Sequence, residues 1–309
     1  MDRDALGRAW TVLEQTALRS SRRGVIVLED RGGRRPASLW TLIHVLWAAC
    51  DMADLGRTVQ VEEVAALLRR YRRGDAYAAT PQGRRYFDDN AWLGLVSLRL
   101  ARTTGDQDHE ERARNLMRFV QTGEDQAGGI RWREGLSTRN ACSTAAAAWL
   151  AMLTGGSQDR AFAERALEWL MSTLRTPDGT FADRIDHGVV DTTVWSYNQG
   201  AAVAALRLVG RTVDADVTAR ASIEIFEGDR RWREPPPFLA IWFRAVLHDP
   251  TVGDRAIRSL HEHVDRILAL AQDEDTGLFT RGGIGSYDER TTIDHAAAIQ
   301  LLALREATA

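Results

Sequence analysis

Two aspartates stand side by side in the stretch Tyr86-Phe87-Asp88-Asp89-Asn90-Ala91-Trp92, where an apolar helix begins among aromatic residues. Neighbours on a helix diverge by about 100° while their Cα atoms stay about 3.8 Å apart, so two short carboxylates can reach into one cleft. Folding alone offers a competing account, in which one aspartate caps the helix and the other complements the positive end of its dipole. Carboxylate pairs also cleave glycosidic bonds: one acid protonates the leaving oxygen, and the other attacks the anomeric carbon or activates water. Carboxyls about 5–5.5 Å apart give retention of configuration and those about 6.5–9.5 Å apart give inversion, and adjacency on one helix favours the shorter distance and therefore retention. Like charges this close cannot both stay ionised cheaply. One pKa is expected to rise, assisted by burial against Tyr86, Phe87 or Trp92, while the helix N-terminus keeps the other group charged. The pH–rate profile of such a pair is a bell, here with a mildly acidic optimum.

The elements that must hold this pair are helical. Apolar residues recur at helical spacing along nearly all 309 residues, and Gly, Pro and Asp-Gly punctuation divides the chain into about twelve helices with no strand-rich region and no linker. The spans read as 5–20, 38–55, 61–73, 87–103, 109–121, 139–153, 160–174, 196–209, 213–226, 236–247, 253–272 and 290–306, in one domain covering 1–309. A loop type repeats between them: Gly128-Gly129-Ile130-Arg131-Trp132, Gly179-Thr180-Phe181-Ala182-Asp183 and Gly277-Leu278-Phe279-Thr280-Arg281 each follow a charged helix. The first two of these loops lead into smaller, low-charge helices, marked by Ala145-Ala146-Ala147-Ala148 and Ala201-Ala202-Val203-Ala204-Ala205. A fixed period of this kind marks stacked helical hairpins, and six hairpins point to an all-α (α/α)6 toroid whose even-numbered helices form the inner ring.

In such a toroid the inner helices all begin at one end. Their starts read Trp40, Asp88-Asp89, Arg139-Asn140, Tyr197-Asn198-Gln199, Phe238-Trp242 and Asp294-His295, a polar and aromatic cleft. Ten tryptophans exceed what a core of this size requires, and indoles are a favoured surface for stacking sugar rings. The expected stacking residues are Trp40, Trp132, Tyr197 and Trp242, with Tyr86 and Asn90 beside the aspartates. Arg139, Asn140, Asp183, Asn198, Gln199 and Asp294 are expected to bond sugar hydroxyls.

With these residues in place the chain resembles glycoside hydrolase family 76, whose characterised bacterial members are retaining endo-α-1,6-mannanases on an (α/α)6 barrel. The likeness runs nearly end to end. It rests on Tyr86 to Trp92 with the turn Thr104-Gly105-Asp106, on Gly128 to Trp132, on Arg139 to Ala141, on Tyr197 to Gly200, and on two later helix starts at Phe238 to Leu247 and Thr292 to Ala298. The resemblance implies that Asp88 is the nucleophile, that Asp89 is the general acid/base, and that the substrate is α-mannan or a manno-oligosaccharide.

Other classes fit less well. Arginines are interleaved with acids, the formal charge is -3, and no basic run forms a footprint for nucleic acid. No window reaches the roughly 18 apolar residues of a membrane span, and Met1-Asp2-Arg3-Asp4 opens without a signal-peptide core, so a cytoplasmic protein is expected. Cys50 and Cys142 lack metal spacing and read as buried free thiols. Asp273-Glu274-Asp275-Thr276-Gly277 lacks the further ligands of a calcium loop, and Trp92 breaks a magnesium-binding Asp-Asp-x-x-Asp box; no metal or cofactor is expected. Two alternatives stay open: a carbohydrate-binding protein with little or no turnover, and an epimerase-like enzyme of the same barrel, which would draw on His44 and His295.

Overall fold

The computed structural model describes residues 4–21, 24–272, 277–279 and 291–309. The acidic segment 273–276, the Thr280-Arg281 tail of the third repeated loop, Arg290 as a helix start and the opening Met1-Asp2-Arg3 lie outside the described residues.

Among the described residues, twelve α-helices form six hairpins. The inner helices are α2 (Leu39–Asp54), α4 (Phe87–Thr104), α6 (Ala141–Thr154), α8 (Ser196–Val209), α10 (Pro236–Val246) and α12 (Thr292–Ala307). The outer ones are α1 (Ala5–Ala17), α3 (Val61–Ala66, continued by a 3-10 turn over Leu67–Arg70), α5 (Gln107–Gln121), α7 (Ser157–Thr173), α9 (Thr212–Phe226) and α11 (Gly253–Leu270). Each inner helix packs on the next, and α12 returns to α2, so the ring closes. This is the expected (α/α)6 toroid. Helices enclosed on all sides must be apolar all round, and α6 shows it: Ala145, Ala146, Ala147 and Ala148 are all fully buried.

Small residues set the spacing within the ring. A Cβ on Gly94 of α4 would meet the Leu150 side chain of α6, and one on Gly200 of α8 would stand 2.8 Å from the Trp242 Cα of α10. One polar network crosses the ring. The Arg244 guanidinium of α10 donates to both oxygens of Asp51 on α2 and to Gln300 of α12, and Gln300 in turn donates to the His44 backbone carbonyl and ring.

The two ends of the toroid are built differently. At one end α4, α6 and α8 stop at Gly105, Gly155 and Gly210, each left-handed, and the outer helix follows after a two-residue turn. At the other end the returning loops are long and carry three small sheets that periodicity did not reveal. These are the hairpin β1 (Leu18–Ser21) with β2 (Gly24–Val27), the hairpin β3 (Arg72–Arg73) with β4 (Ala76–Tyr77), and the sheet β5 (Arg139–Asn140), β6 (Arg184–Asp186), β7 (Val189–Asp191). The three repeated loops are equivalent: Glu124 pairs with Ile130, Arg175 with Phe181 and Gln272 with Phe279, and each loop's apolar residue is buried.

One hydrogen bond recurs around this end. The first N–H of α2 donates to the Ala79 carbonyl, that of α4 to Trp132, that of α6 to Asp183 and that of α12 to Glu29, over 2.7–3.0 Å. For α8 the acceptor is the Glu234 carboxylate at 2.9 Å. In each case the acceptor lies on the loop of the following hairpin, with α12 served by the loop before α2. α10 begins with Pro236, which has no N–H to satisfy.

Since α8 is held on both flanks, Gly200→Ala cannot be absorbed by a helix shift. It is expected to cost about 1–3 kcal/mol in urea unfolding, as overpacking against backbone does. Unchanged stability would mean that α8 and α10 can separate.

Candidate active site

The caps just described fix which helix positions face the opening. A cleft of about 550 Å³ is lined from five of the six inner-helix starts: Ser38 and Trp40 of α2, Tyr86, Asp88, Asp89 and Trp92 of α4, Asn140 and Cys142 of α6, Trp195 and Tyr197 of α8, Pro235 and Phe238 of α10. Ala79, Trp132, Asp183 and Arg184 complete it from the loops. Three of these loop residues, Ala79, Trp132 and Asp183, are the ones whose carbonyls cap the neighbouring helix. In four of the inner helices the second residue is a cleft residue: Trp40, Asp88, Cys142 and Tyr197.

Asp88 and Asp89 share the floor but not their surroundings. Asp88 Oδ2 accepts the Trp132 indole N–H at 2.9 Å and the Cys142 thiol at 3.8 Å, and Oδ1 accepts the Asp89 backbone N–H at 2.9 Å. Burial pushes the Asp88 carboxyl up to about 6, and these donors hold it from rising further. The Asp89 carboxylate, only 8% exposed as a residue, accepts no hydrogen bond among the described residues. Burial first, and then the adjacent Asp88 charge, drives its pKa well above the ordinary carboxylate range. Two identical side chains thus diverge: Asp88 is the easier to ionise and Asp89 the harder.

Aromatic rings flank the pair. On one side Trp40 and Trp92 lie 6.2 Å apart, Trp92 and Tyr197 6.3 Å apart, and Tyr197 stacks on Phe238 at 3.9 Å. On the other, Tyr86 meets Trp132 edge to face at 5.1 Å. Polar groups stand between: Asp183 accepts from Asn198 and from Arg184, and burial raises its pKa. The side-chain oxygens of Asn140 and Asn198 are buried without a hydrogen-bond donor among the described residues. An apolar cleft with a few convergent polar atoms is suited to a ligand that is flat on its faces and hydroxylated on its edges.

The sequence profile described as glycosyl hydrolase family 76 matches residues 34–217, which include both aspartates. The chain belongs to glycosyl hydrolase family 76. No curated protein sequence matches it. Among solved structures, this family 76 chain is similar to a GH76 α-mannanase of Bacteroides thetaiotaomicron, with a TM-score of 0.84 and 17% identity over 98% of this chain and 95% of that one. An α-1,6-mannanase of Salegentibacter sp. HEL1_6 gives a TM-score of 0.83 and 19% identity over 99% of both chains; that structure is of an inactive variant, with two consecutive aspartates replaced by asparagine, in complex with α-1,6-mannotriose. A cellobiose 2-epimerase from Bacillus thermoamylovorans shares the fold more loosely, with a TM-score of 0.71 and 10% identity over 97% of this chain and 99% of that one.

Of the residues expected in this family 76 cleft, Trp40, Tyr86, Trp132, Asn140, Asp183 and Tyr197 line it beside the aspartates. Others need correction. Asn90 and Gln199 are the fourth residues of α4 and α8, and they point into the wall, where they clamp the returning loops. Asn90 accepts from the Tyr77 N–H and donates to the carbonyls of Tyr77 and Tyr86, while Gln199 does the same with Phe181 and Trp195. Trp242 lies nearly two turns into α10, fully buried, its indole donating to Ser222 of α9. The Arg139 side chain turns away from the cleft to Asp125 and to the Gly128 and Ser137 carbonyls. Asn198 stands behind Asp183 and bonds it. Asp294 is half-buried in the first turn of α12 and is not among the cleft-lining residues.

Sequence reasoning missed Cys142, Trp195 and Arg184 as cleft residues and treated Trp92 and Phe238 only as helix-start aromatics. The missed signal was positional, since Cys142 and Tyr197 occupy the helix position that Asp88 does. Both cysteines are free and buried, as their neighbours suggested.

Elsewhere, Glu62, Asp106 and His109 bring one ligand atom each within 4.8 Å of one another. The Arg112 guanidinium lies 2.6 Å from His109 Nδ1. An arginine can only donate, which places the ring proton on Nε2, the atom that faces both carboxylates. A metal there would need the lone pair which that proton occupies.

A carboxyl whose folded pKa lies above its unfolded value favours folding while protonated, and that contribution fades as pH rises through the folded pKa. For this pair the loss begins above the ordinary value of 3.8 and runs through about 6 for Asp88 and higher for Asp89. Asp89→Asn is therefore expected to raise Tm above wild type at pH 8 by roughly 2–6 °C, with the gap closing toward pH 4. A variant less stable than wild type at pH 8 would show that Asp89 is not buried at a cost.

Proposed function

We propose that the chain is a retaining glycoside hydrolase acting on α-mannosidic bonds, α-1,6 in mannan or manno-oligosaccharides, with Asp88 as nucleophile and Asp89 as general acid/base. The unequal environment of the pair carries this reading. Asp88 has three donors that favour its anion, and Asp89 has none among the described residues. An ionised carboxylate beside a protonated one is the starting state that double displacement requires.

On this reading the steps are those of a double displacement. Asp88 attacks the anomeric carbon as the C1–O bond to the leaving sugar breaks, and Asp89 passes its proton to the departing oxygen. Water then enters, gives a proton back to Asp89, and attacks C1 to release Asp88, so two inversions leave the α configuration. An Asp88 pKa near 6, with Asp89 higher, moves the expected optimum from mildly acidic to near neutral. The α-1,6 preference draws on the Salegentibacter relative, inactive once two consecutive aspartates are replaced. Asp88-Asp89 is the single Asp-Asp step in this sequence.

The epimerase-like alternative loses its residues. His44 is fully buried and bonded by Gln300, and burial with the nearby Arg244 charge pushes its pKa down to about 3. His295 is buried with Nε2 on the Ala9 carbonyl. Neither lines the cleft. A pure binding site, for its part, has no use for two desolvated carboxyls that oppose folding at neutral pH.

Asp88→Asn and Asp89→Asn are each expected to lower kcat on α-1,6-mannotetraose by roughly 10³-fold or more. Asp89→Asn should keep more activity on an aryl α-mannoside with an activated leaving group, which needs no protonation; Asp88→Asn should not. NMR of the first product should show the α-anomer before mutarotation. A β-anomer at that stage, or normal turnover in either variant, overturns the assignment.

A further inference from the structure

Arg139, expected among the residues that bond sugar hydroxyls, faces a second pocket behind the cleft wall. Side chains alternate between the two faces of a strand, and the sheet β5–β6–β7 separates two cavities by that rule. Asn140 and Arg184, which pair across β5 and β6, line the active cleft, whereas Arg139 and Ile185, the next pair in the register, line a pocket of about 350 Å³. The two cavities share one wall.

The second pocket is completed by α7 and by the turn between β6 and β7. Trp169 of α7 lies flat against Gly128 and Gly129, where a Cβ on either glycine would stand 2.5–2.6 Å from the ring. The indole is thereby held in place, and the rest of this half-buried ring lines the pocket. Its N–H bonds to no described residue, and neither does the hydroxyl of Thr173, one turn further along the same helix face. The Arg139 guanidinium is fixed by donating to the Gly128 and Ser137 carbonyls and to Asp125, and it still has N–H groups to spare. His187 takes the hairpin tip at φ 47°, a left-handed position that asparagine or glycine adopts more readily, and it too lines the pocket. The Arg139 charge is already met by Asp125, which favours a neutral, hydroxylated ligand over an anion. A fixed indole beside unspent donors and a hydroxyl is the chemistry of the cleft without its carboxyls.

We propose that this pocket is a second, non-catalytic binding site for an α-mannan chain, in which Trp169 gives the apolar contact with a sugar ring while Arg139, Thr173 and His187 bond its hydroxyls. The choice of mannan rests on the hydrolase reading of the cleft. A polymer held on the far face of the shared sheet is kept at high local concentration beside the cleft, whereas a trisaccharide bound in the cleft gains nothing from the second pocket.

Thr173→Arg tests the site, because it fills the pocket from α7 and leaves the shared sheet untouched. It should raise KM on polymeric α-1,6-mannan about three- to tenfold, with kcat/KM on α-1,6-mannotriose within about twofold of wild type. Binding is read without turnover in the Asp88→Asn/Asp89→Asn variant by 15N NMR, where the indole cross-peak lost in Trp169→Phe belongs to Trp169. That peak should shift on titration with α-1,6-mannohexaose and stay still when Thr173→Arg is added. A folded Thr173→Arg enzyme with wild-type KM on mannan, or a Trp169 peak that mannohexaose does not move, overturns the second site. A wild-type protein inactive on every α-mannoside whose Trp169 peak still moves refutes the hydrolase reading alone, and an active enzyme whose Trp169 peak does not move refutes the second site alone.

Discussion

The hydrogen bond from the first N–H of five of the six inner helices to the loop of the next hairpin is the constraint on which the site depends. A helix N-terminus carries unsatisfied donors and a positive dipole end, and a side-chain cap is the usual remedy. In α4, α6 and α8 the capping position is Tyr86, Asn140 or Trp195, none of which caps through its side chain. The donor is satisfied from next door, by Trp132, Asp183 or Glu234, and the capping residue is released to face the cleft. The same bond pins Trp132 and Asp183 at the rim. One interaction therefore closes the ring of hairpins, satisfies the helix ends and assembles the cleft wall.

The ring imposes the remaining geometry. Its helices have no solvent-facing side, so their spacing is set by glycine and alanine, and any polar residue inside must find a partner. The Asp51–Arg244 pair with Gln300 and His44 meets that demand near the far end of α2 and α10. A buried ion pair of this kind adds little net stability against an apolar replacement but penalises any arrangement that leaves one charge alone, which favours a single register of α2 against α10 and α12. Two-residue turns occupy that end, so the opposite end, with its long loops, is where chemistry can be built.

Helices, repeat, toroid and the adjacent carboxyls of the cleft were legible in the sequence because each leaves a local trace. Period 3.6 marks the helices, the spaced Gly-rich loops mark the hairpins, and two adjacent acids beside aromatics mark a group that folding does not require. The errors at Asn90, Gln199 and Cys142 share one physical origin. Periodicity finds a helix start to within a turn, but the cleft takes mainly the capping residue and the second helical position, while the fourth, in α4 and α8, faces the returning loop. Asn90 and Gln199 fall on the wrong side of that line, and Cys142 falls on the right one. Which side a residue takes is fixed by bonds to segments some forty to fifty positions away, such as Ala141 to Asp183, and no local pattern records them. The short strands were missed for the same reason, since β5 pairs with β6 across more than forty residues.

The repeat also shows how little separates the start of α4 from its equivalents. The second and third positions read Trp40-Thr41 in α2, Asp88-Asp89 in α4, Cys142-Ser143 in α6 and Tyr197-Asn198 in α8. The backbone environment is shared, with a neighbour-supplied cap and a dipole end aimed at the cleft, but only α4 carries carboxyls at both positions. The second position is where Trp132 and Cys142 converge, whereas the third has no donor among the described residues. A pair placed on those two positions is treated unequally by the fold: both carboxyls are pushed up by burial, and only the second position has donors that oppose the rise. The surrounding Trp40, Trp132, Tyr197 and Phe238 then act twice: they exclude the water that would level the two pKa values, and they offer the faces on which a sugar ring can lie.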